Sequence, residues 1–340
     1  MITQERLEAI LTSFPRLTIA LVGDLFLDRY LEIEPGVYEL SIETGLEAYQ
    51  VTRVRNSPGA LGTVMNNLAA LGVGLLVPVT VIGDDGHGFD LLREVRRLPV
   101  DTTHILSDPR RLTPTYTKPM QQDVAGVWRE LNRVDVRTRG ALRDEATREL
   151  CARLRLAWQS SDGLIVLDQI NEENWGVINA TVRDCLAELA RETPKKLMLV
   201  DSRAHLARFA FGTLKGNRRE VTNAIGLPDE RDQAAAIATQ GLATRTGRAA
   251  FCSAGERGIL VARPQEPATL VPGYPASGPI DIVGAGDAAT SGIVTSLLAG
   301  AMELEAAAVG NLVASITVQQ IGTTGTATPK QVRERFRGVS

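Results

Sequence analysis

The chain is poor in the residues that carry metal and disulfide chemistry, with three cysteines and three histidines among 340 residues. Cys151, Cys185 and Cys252 are widely spaced and form no C-x-x-C pair. That excludes a zinc knuckle and leaves an odd thiol if two of them pair, so a reducing cytoplasm is the expected location. His87, His104 and His205 stand far apart, none in an H-E-x-x-H spacing, and read as surface or loop residues rather than ligands of a transition metal. Neither charge sign dominates: 37 Lys and Arg against 40 Asp and Glu give a net charge of −3, which excludes the basic footprint of a nucleic-acid or membrane-surface binder. A membrane-length apolar run is also missing. The longest weakly polar stretch, Leu68 to Ile82, is shorter than the roughly 20 residues a span requires and is broken by Gly72, Gly74 and Pro78. Met1 to Pro15 mixes charges of both signs without an apolar core, so it does not read as a secretory signal. Aromatics are few, do not cluster, and are assigned to the core or a lid.

What is present is a composition that buries a large core, 44% hydrophobic with 31 glycines and 16 prolines, laid out as alternating strand-length and helix-period segments. Strands are expected at Leu17–Gly23, Leu75–Ile82, Gly163–Leu167, Leu197–Asp201 and Ala249–Ser253. Helices are expected at Thr63–Leu71, Gly88–Leu98, Ala141–Trp158, Glu172–Arg191, Asp229–Thr246, Asp287–Leu298, Leu304–Gln320 and Pro329–Phe336. This is an α/β pattern. It pauses twice, near 30–55 and 113–135, where β-formers alternate without a helix period and suit a small separate sheet. No repeat or linker divides residues 1–340, so one domain with a small β appendage is expected.

The sharpest local signal is Asp281-Ile-Val-Gly284-Ala285-Gly286-Asp287, a glycine-rich turn that runs into a helix. Glycines let a backbone approach an anion closely, and amides at a helix N-terminus suit phosphoryl oxygens. A carboxylate there can take a proton from an attacking hydroxyl. Alone, G-x-G-D reads equally as a turn with Asp287 capping the helix. There is no G-x-x-x-x-G-K-[ST] loop, and no G-x-G-x-x-G follows the first strand. That strand is followed instead by Gly23-Asp24-Leu-Phe-Leu-Asp28-Arg-Tyr30, whose two carboxylates sit where open α/β sheets bind ligands and are good acceptors for sugar hydroxyls, or are solvated loop acids.

Taken together these ends resemble the ribokinase-like (PfkB) carbohydrate kinases, whose pattern opens with G-D-x-x-x-D and closes with D-T-x-G-A-G-D. Intermediate marks agree: Ser57-Pro58-Gly59, the stretch Asn67 to Gly72, Gly83-Asp84-Asp85, Asn217-x-x-Glu220 and Ser253-Ala-Gly255-Glu-Arg-Gly258 follow the family's order. The resemblance implies a three-layer sandwich with a mostly parallel central sheet and a small β lid. It implies ATP-dependent phosphoryl transfer to a sugar hydroxyl, with Asp287 as general base and the Gly284, Ala285, Gly286 turn as anion hole. Asp24, Asp28, Gly59 and Lys118 are then the sugar-side residues, and Asn217, Glu220, Ser253, Gly255, Gly258 and Asn311 the nucleotide side. Glu220 is placed on Mg²⁺ through water, and Asp281 on a monovalent cation such as K⁺. The lid of many members pairs with that of a second subunit, so a homodimer is expected.

Within the family the opening motif is similar to that of kinases acting on the anomeric hydroxyl of D-glycero-D-manno-heptose 7-phosphate. So are Ser41-Ile42-Glu43, Pro114-Thr-Tyr-Thr-Lys118 and Arg133-Val134-Asp135. In bifunctional members a nucleotidyltransferase with H-x-G-H follows, and none is expected here. Ala60 and Thr63 stand where the family pattern has glycine and a sugar-contacting asparagine. That departure keeps open a kinase for another sugar or nucleoside, and a catalytically silent sugar or nucleotide sensor.

Overall fold

Buried apolar strands separated by helices have one economical packing, a sheet with helices on both faces, and this chain adopts it. The computed structural model describes residues 2–36, 39–228, 231–276, 278–322 and 324–338. In chain order the strands are β1 (Thr18–Gly23), β2 (Leu25–Ile33), β3 (Arg53–Ala60), β4 (Leu75–Gly83), β5 (Ile105–Asp108), β6 (Thr115–Gln122), β7 (Trp128–Glu130), β8 (Val134–Val136), β9 (Gly163–Asp168), β10 (Leu197–Ser202), β11 (Thr213–Asn217), β12 (Ala250–Ser253), β13 (Gly258–Ala262) and β14 (Thr269–Pro272). The helices are α1 (Gln4–Ser13), α2 (Leu61–Ala70), α3 (Gly86–Val95), α4 (Asp144–Ser160), α5 (Ala180–Glu192), α6 (Arg218–Ala224), α7 (Asp232–Thr246), α8 (Ala285–Leu298), α9 (Glu303–Thr317) and α10 (Pro329–Arg337).

Nine strands form one sheet in the order β14-β13-β12-β11-β10-β9-β1-β4-β5. Every pair from β12 through β5 is parallel, and only β13 and β14 run antiparallel to their neighbours. The period of two along β1 divides the core. Ile19 and Leu21 join Leu68, Val294 and Leu312 on one face, while Ala20 and Val22 join Leu150, Leu186 and Leu242 on the other. A mostly parallel central sheet between two helical layers, with a separate smaller sheet, is the α/β architecture the sequence pattern implies. The smaller sheet has the order β3-β2-β6-β7 with β8 on β6. Because β2 leaves the core directly after β1, the small sheet covers the carboxyl ends of the parallel strands. No helix among the described residues is long and apolar enough to cross a membrane.

Two expected helices start later than their sequence pattern. The helix expected from Glu172 begins at Ala180, because Asn179 caps it by accepting from the Val182 amide at 3.0 Å. Upstream, Asn174 has φ 63° and the Val177 amide donates to the Asp24 carboxylate at 2.7 Å, so residues 169–179 are a loop. The helix expected from Asp229 starts at Asp232, and residues 229–230 lie outside the described residues. Strand β11 and helix α1, too short or too polar to stand out, are additional.

Candidate active site

The carboxyl ends of β10, β11 and β12 and the first turn of α8 meet at one place. Gly284 has φ 81°, and a Cβ there would stand 2.6 Å from Thr324 Cγ2, so the turn into α8 requires glycine. The Ala285 amide donates to Ile282 O at 3.2 Å, whereas the Gly286 and Asp287 amides, in a first helical turn, have no partner among the described residues. Thus Ala285, expected in the anion hole, has its N–H turned back into the loop. The Asp287 carboxylate makes no hydrogen bond among the described residues. Burial and then the negative charge of Asp201 push its carboxyl up to about 7, against the opposing pull of Lys215 and Arg203.

Beneath it lies a buried ion pair absent from the sequence expectations. Lys215 Nζ, 3% exposed, donates to Asp201 Oδ2 at 2.7 Å, and Thr290 Oγ1 on α8 donates to the same oxygen at 3.2 Å. Asp201 and Lys215 are cross-strand partners of β10 and β11. Burial pulls the lysine down, but Asp201, with Glu220 and Asp287 behind it, leaves it above its ordinary value. Lys215 is therefore a fixed cation next to the candidate base.

Four of the six residues expected on the nucleotide side converge. Ser253, Gly255, Gly258 and Asn311 line one apolar cavity of about 300 Å³ that reaches Gly286. Ser253 Oγ is buried without a hydrogen-bond partner, an orphan that suits a polar ligand group. Asn311 Nδ2 is engaged by the Val271 and Pro272 carbonyls at 2.9 and 3.0 Å, so it fixes the cavity wall. Asn217 and Glu220 are not in this cavity. They form a capping box at α6, with Glu220 N donating to Asn217 Oδ1 at 3.0 Å and Asn217 N to Glu220 Oε2 at 2.7 Å. Glu220 lines the adjoining cleft with Arg203, and burial and Asp201 raise its carboxyl. Its second oxygen is unengaged among the described residues. Asp281 accepts from the Val283 amide at 3.0 Å at the entry to the α8 turn. The described residues bring together no group of three or more His, Cys, Asp or Glu able to grip a metal. A magnesium ion carried mainly by phosphate oxygens and water fits that donor set.

On the acceptor side three of the four predicted residues touch. Asp28 pairs with Lys118 Nζ at 3.3 Å, Lys118 also approaches Tyr30 Oη at 3.3 Å, and a Cβ on Gly59 would lie 2.6 Å from Asp28 Oδ2. Burial raises the Asp28 carboxyl, with Lys118 opposing it. Asp24 is placed differently. It is 3% exposed, and its two oxygens accept from Val177 N at 2.7 Å and Gln169 N at 3.3 Å, so it pins the 169–177 loop. Next to it Asp168, also missed from sequence, is pushed to about 7 by burial and by the Asp24 charge, and accepts from Ser202 Oγ at 2.8 Å.

A mostly parallel sheet under a small β cap, with a glycine turn feeding a helix at its carboxyl end, is the ribokinase fold. The structure is similar to Arabidopsis thaliana ribokinase complexed with ribose and ATP, at a TM-score of 0.69 and 16% identity over 94% of this chain and 99% of that one. It is equally similar to Escherichia coli phosphofructokinase-2 in complex with fructose-6-phosphate, at a TM-score of 0.69 and 16% identity over 95% and 99% of the two chains. Residues 200–331 match the model of the pfkB family carbohydrate kinases. Curated relatives include the bifunctional protein HldE of Caulobacter sp. (strain K31), 28% identical over 92% of this chain, and that of Azorhizobium caulinodans, 29% identical over 90%. The chain spans 61% of the length of each of these relatives.

Proposed function

We propose that this domain transfers the γ-phosphoryl group of ATP to a sugar hydroxyl, with Asp287 as general base. One observation carries the reading: a carboxylate held at about 7 that makes no hydrogen bond among the described residues, beside two amides of a glycine turn that likewise have no partner among them. The hydroxyl proton passes to Asp287. The acceptor oxygen forms its bond to the γ-phosphorus as the bond from that phosphorus to the ADP oxygen breaks. The Gly286 and Asp287 amides stabilise charge on the transferring oxygens, and Lys215 holds positive potential beneath them. Bound magnesium supplies neutralisation of phosphate charge, and Glu220 is the side chain that would orient it through water. Asp281 is the candidate for a monovalent cation beside the turn.

The acceptor we assign is the anomeric hydroxyl of a heptose 7-phosphate. The opening motif, Pro114 to Lys118 and Arg133-Val134-Asp135 support it, as does the Asp28–Lys118 pair, which offers both an acceptor and a donor to a polyol. The small sheet acts as a lid that excludes water from the transfer. It exposes Ile42 at 101%, Val124 at 96% and Leu46 at 70%, an apolar rim suited to a second lid in a homodimer. Three unpaired thiols suit a cytoplasmic enzyme.

Magnesium-dependent ADP release from ATP, measured with D-glycero-D-manno-heptose 7-phosphate and a panel of other sugars and nucleosides, tests the assignment. Stimulation by the heptose phosphate, lost in Asp287→Asn, is the expected result. Stimulation by another acceptor retains the kinase and removes the heptose, and binding without any turnover contradicts the kinase.

A further inference from the structure

Helices α4 and α5 lie side by side on the face of the sheet away from α8, where Leu150, Leu154, Leu186 and Leu189 share one core. Polar contacts fix how the two helices align. Asn179 Nδ2 donates to Thr147 Oγ1 at 3.2 Å at one end, Trp158 Nε1 donates to Thr193 Oγ1 at 2.9 Å at the other, and Arg155 pairs with Glu188 between them. Two of the three cysteines, Cys151 on α4 and Cys185 on α5, fall inside this frame. Cys185 Sγ lies 4.0 Å from the Cys151 carbonyl oxygen, and its thiol is hydrogen-bonded to the Cys151 sulfur. The contact joins residues 34 apart across a helix seam, so folding alone brings the two sulfurs together.

The surroundings of the two thiols are unequal. Cys151 is half-buried, and the hydrogen bond from Cys185 holds its thiol below the ordinary value against the effect of burial, helped by Arg155 one turn further along α4. Cys185 is 5% exposed, and the same hydrogen bond together with burial pushes its thiol up. A reachable sulfur with thiolate character, touching a second sulfur that solvent barely reaches, is the arrangement of an attacking and a resolving cysteine. Cys252 is the internal contrast. It is fully buried on β12, and burial pushes its thiol up to about 11, so it is an inert thiol.

We propose that Cys151 and Cys185 are a redox site remote from the α8 turn, where a hydroperoxide converts the touching thiols into a reversible disulfide that staples α4 to α5. The Cys151 sulfur attacks a peroxide oxygen, the O–O bond breaks, and the departing hydroxide takes up a proton to leave as water, with Cys151 now a sulfenic acid. The Cys185 sulfur then attacks the Cys151 sulfur. The S–S bond forms as the S–O bond breaks, and the hydroxyl leaves as water with the Cys185 proton. Two electrons pass from the sulfurs to the peroxide, and a dithiol reductant returns them. The closed loop contains β9 and the 169–177 segment whose amides hold Asp24, so the staple restricts the unfolding of that part of the chain. The site stands independently of the kinase reading.

The test treats the full chain with hydrogen peroxide, blocks remaining thiols with iodoacetamide and digests it with trypsin without reductant. The three cysteines then fall in separate peptides, 149–153, 184–191 and 249–257. The expected product is 149–153 joined to 184–191, released by dithiothreitol and absent from Cys151→Ser, with Cys252 left as a free thiol. The oxidised parent melts about 5 °C above the reduced one, and Cys151→Ser shows no such rise. In Cys185→Ala the reaction stops at the sulfenic acid, which dimedone captures on 149–153. Peptide mapping of the parent decides the matter even where a variant fails to fold. Cys151 driven to sulfinic acid with Cys185 still free, 149–153 linked to a second copy of itself, or both thiols untouched overturns the pair. Linkage without a rise in melting temperature overturns the staple.

Discussion

Two carboxyls at the carboxyl edge of the central sheet, Asp168 at the end of β9 and Asp287 in the first turn of α8, are both pushed to about 7 by burial and by a neighbouring aspartate, and yet their surroundings differ in every other respect. Asp168 is 1% exposed, accepts from Ser202 and stands beside Asp24, itself bound to the amides of the 169–177 loop. Asp287 is half-buried, has no hydrogen-bond partner among the described residues and has Lys215 and Arg203 within electrostatic reach. A raised carboxyl is common to a structural acid and a base. Lone pairs unused among the described residues, next to two amides without a partner among them, separate the two.

The largest effect expected from this contrast is in turnover. Asp287→Asn lowers kcat by about a thousandfold with nucleotide binding retained, as calorimetry with ATP would show, whereas Asp168→Asn stays within a few-fold of the parent. A similar loss in both variants would erase the distinction. Next comes Lys215→Met, which strips the cation from the buried Asp201 and destabilises the fold by about 3–5 kcal/mol in denaturant titration. A loss well below that would mean that water reaches Asp201.

The pH dependence sharpens the comparison further. The folded protein holds protons on Asp168 and Asp287 up to about 7, while the unfolded chain releases them near its ordinary carboxyl value of 3.8. The stabilisation from these neutral carboxyls is complete below that lower value and is lost as pH rises through about 7. Melting temperatures followed across this window should show a shallower decline in Asp168→Asn than in the parent. Activity runs the other way, because kcat/KM rises with pH as Asp287 ionises. The smallest effect is at Gly59, where the added methyl of Gly59→Ala displaces the Asp28 carboxylate and raises acceptor KM by about tenfold, with KM for ATP unmoved.

The glycine turn before Asp287 and the Ser253 to Gly258 stretch were readable as turns from sequence, because they are local: a few consecutive residues bend the chain and present its amides. The strands were readable where they are fully apolar, as at 75–82 and 163–167. Lys215 and Asp201 were not, since their pairing depends on the register of β10 against β11, which no spacing along the chain encodes. Lys215 sits in a five-residue strand, Thr213–Asn217, whose one aliphatic side chain is Leu214, so the sequence held no clear signal of the pair. Asp24 followed a sugar-contact pattern, but the 169–177 loop, 145 or more residues away, takes up its carboxylate. The same loop ends the helical periodicity before Asn179. The arginines that line the cavity between the small sheet and the 169–175 loop come from separate segments, so only the folded chain brings Arg139 and Arg203 together.

The central claim is that Asp287, and not its equally shifted counterpart, is the base. The pH profile of kcat/KM for magnesium-dependent ADP release, recorded for the parent, Asp168→Asn and Asp287→Asn with the acceptor that gives the highest turnover, tests it most directly. An acid limb near 7 that persists in Asp168→Asn, with Asp287→Asn inactive throughout, is the predicted result. An acid limb that disappears with Asp168→Asn, or an Asp287→Asn enzyme with parental turnover, contradicts it.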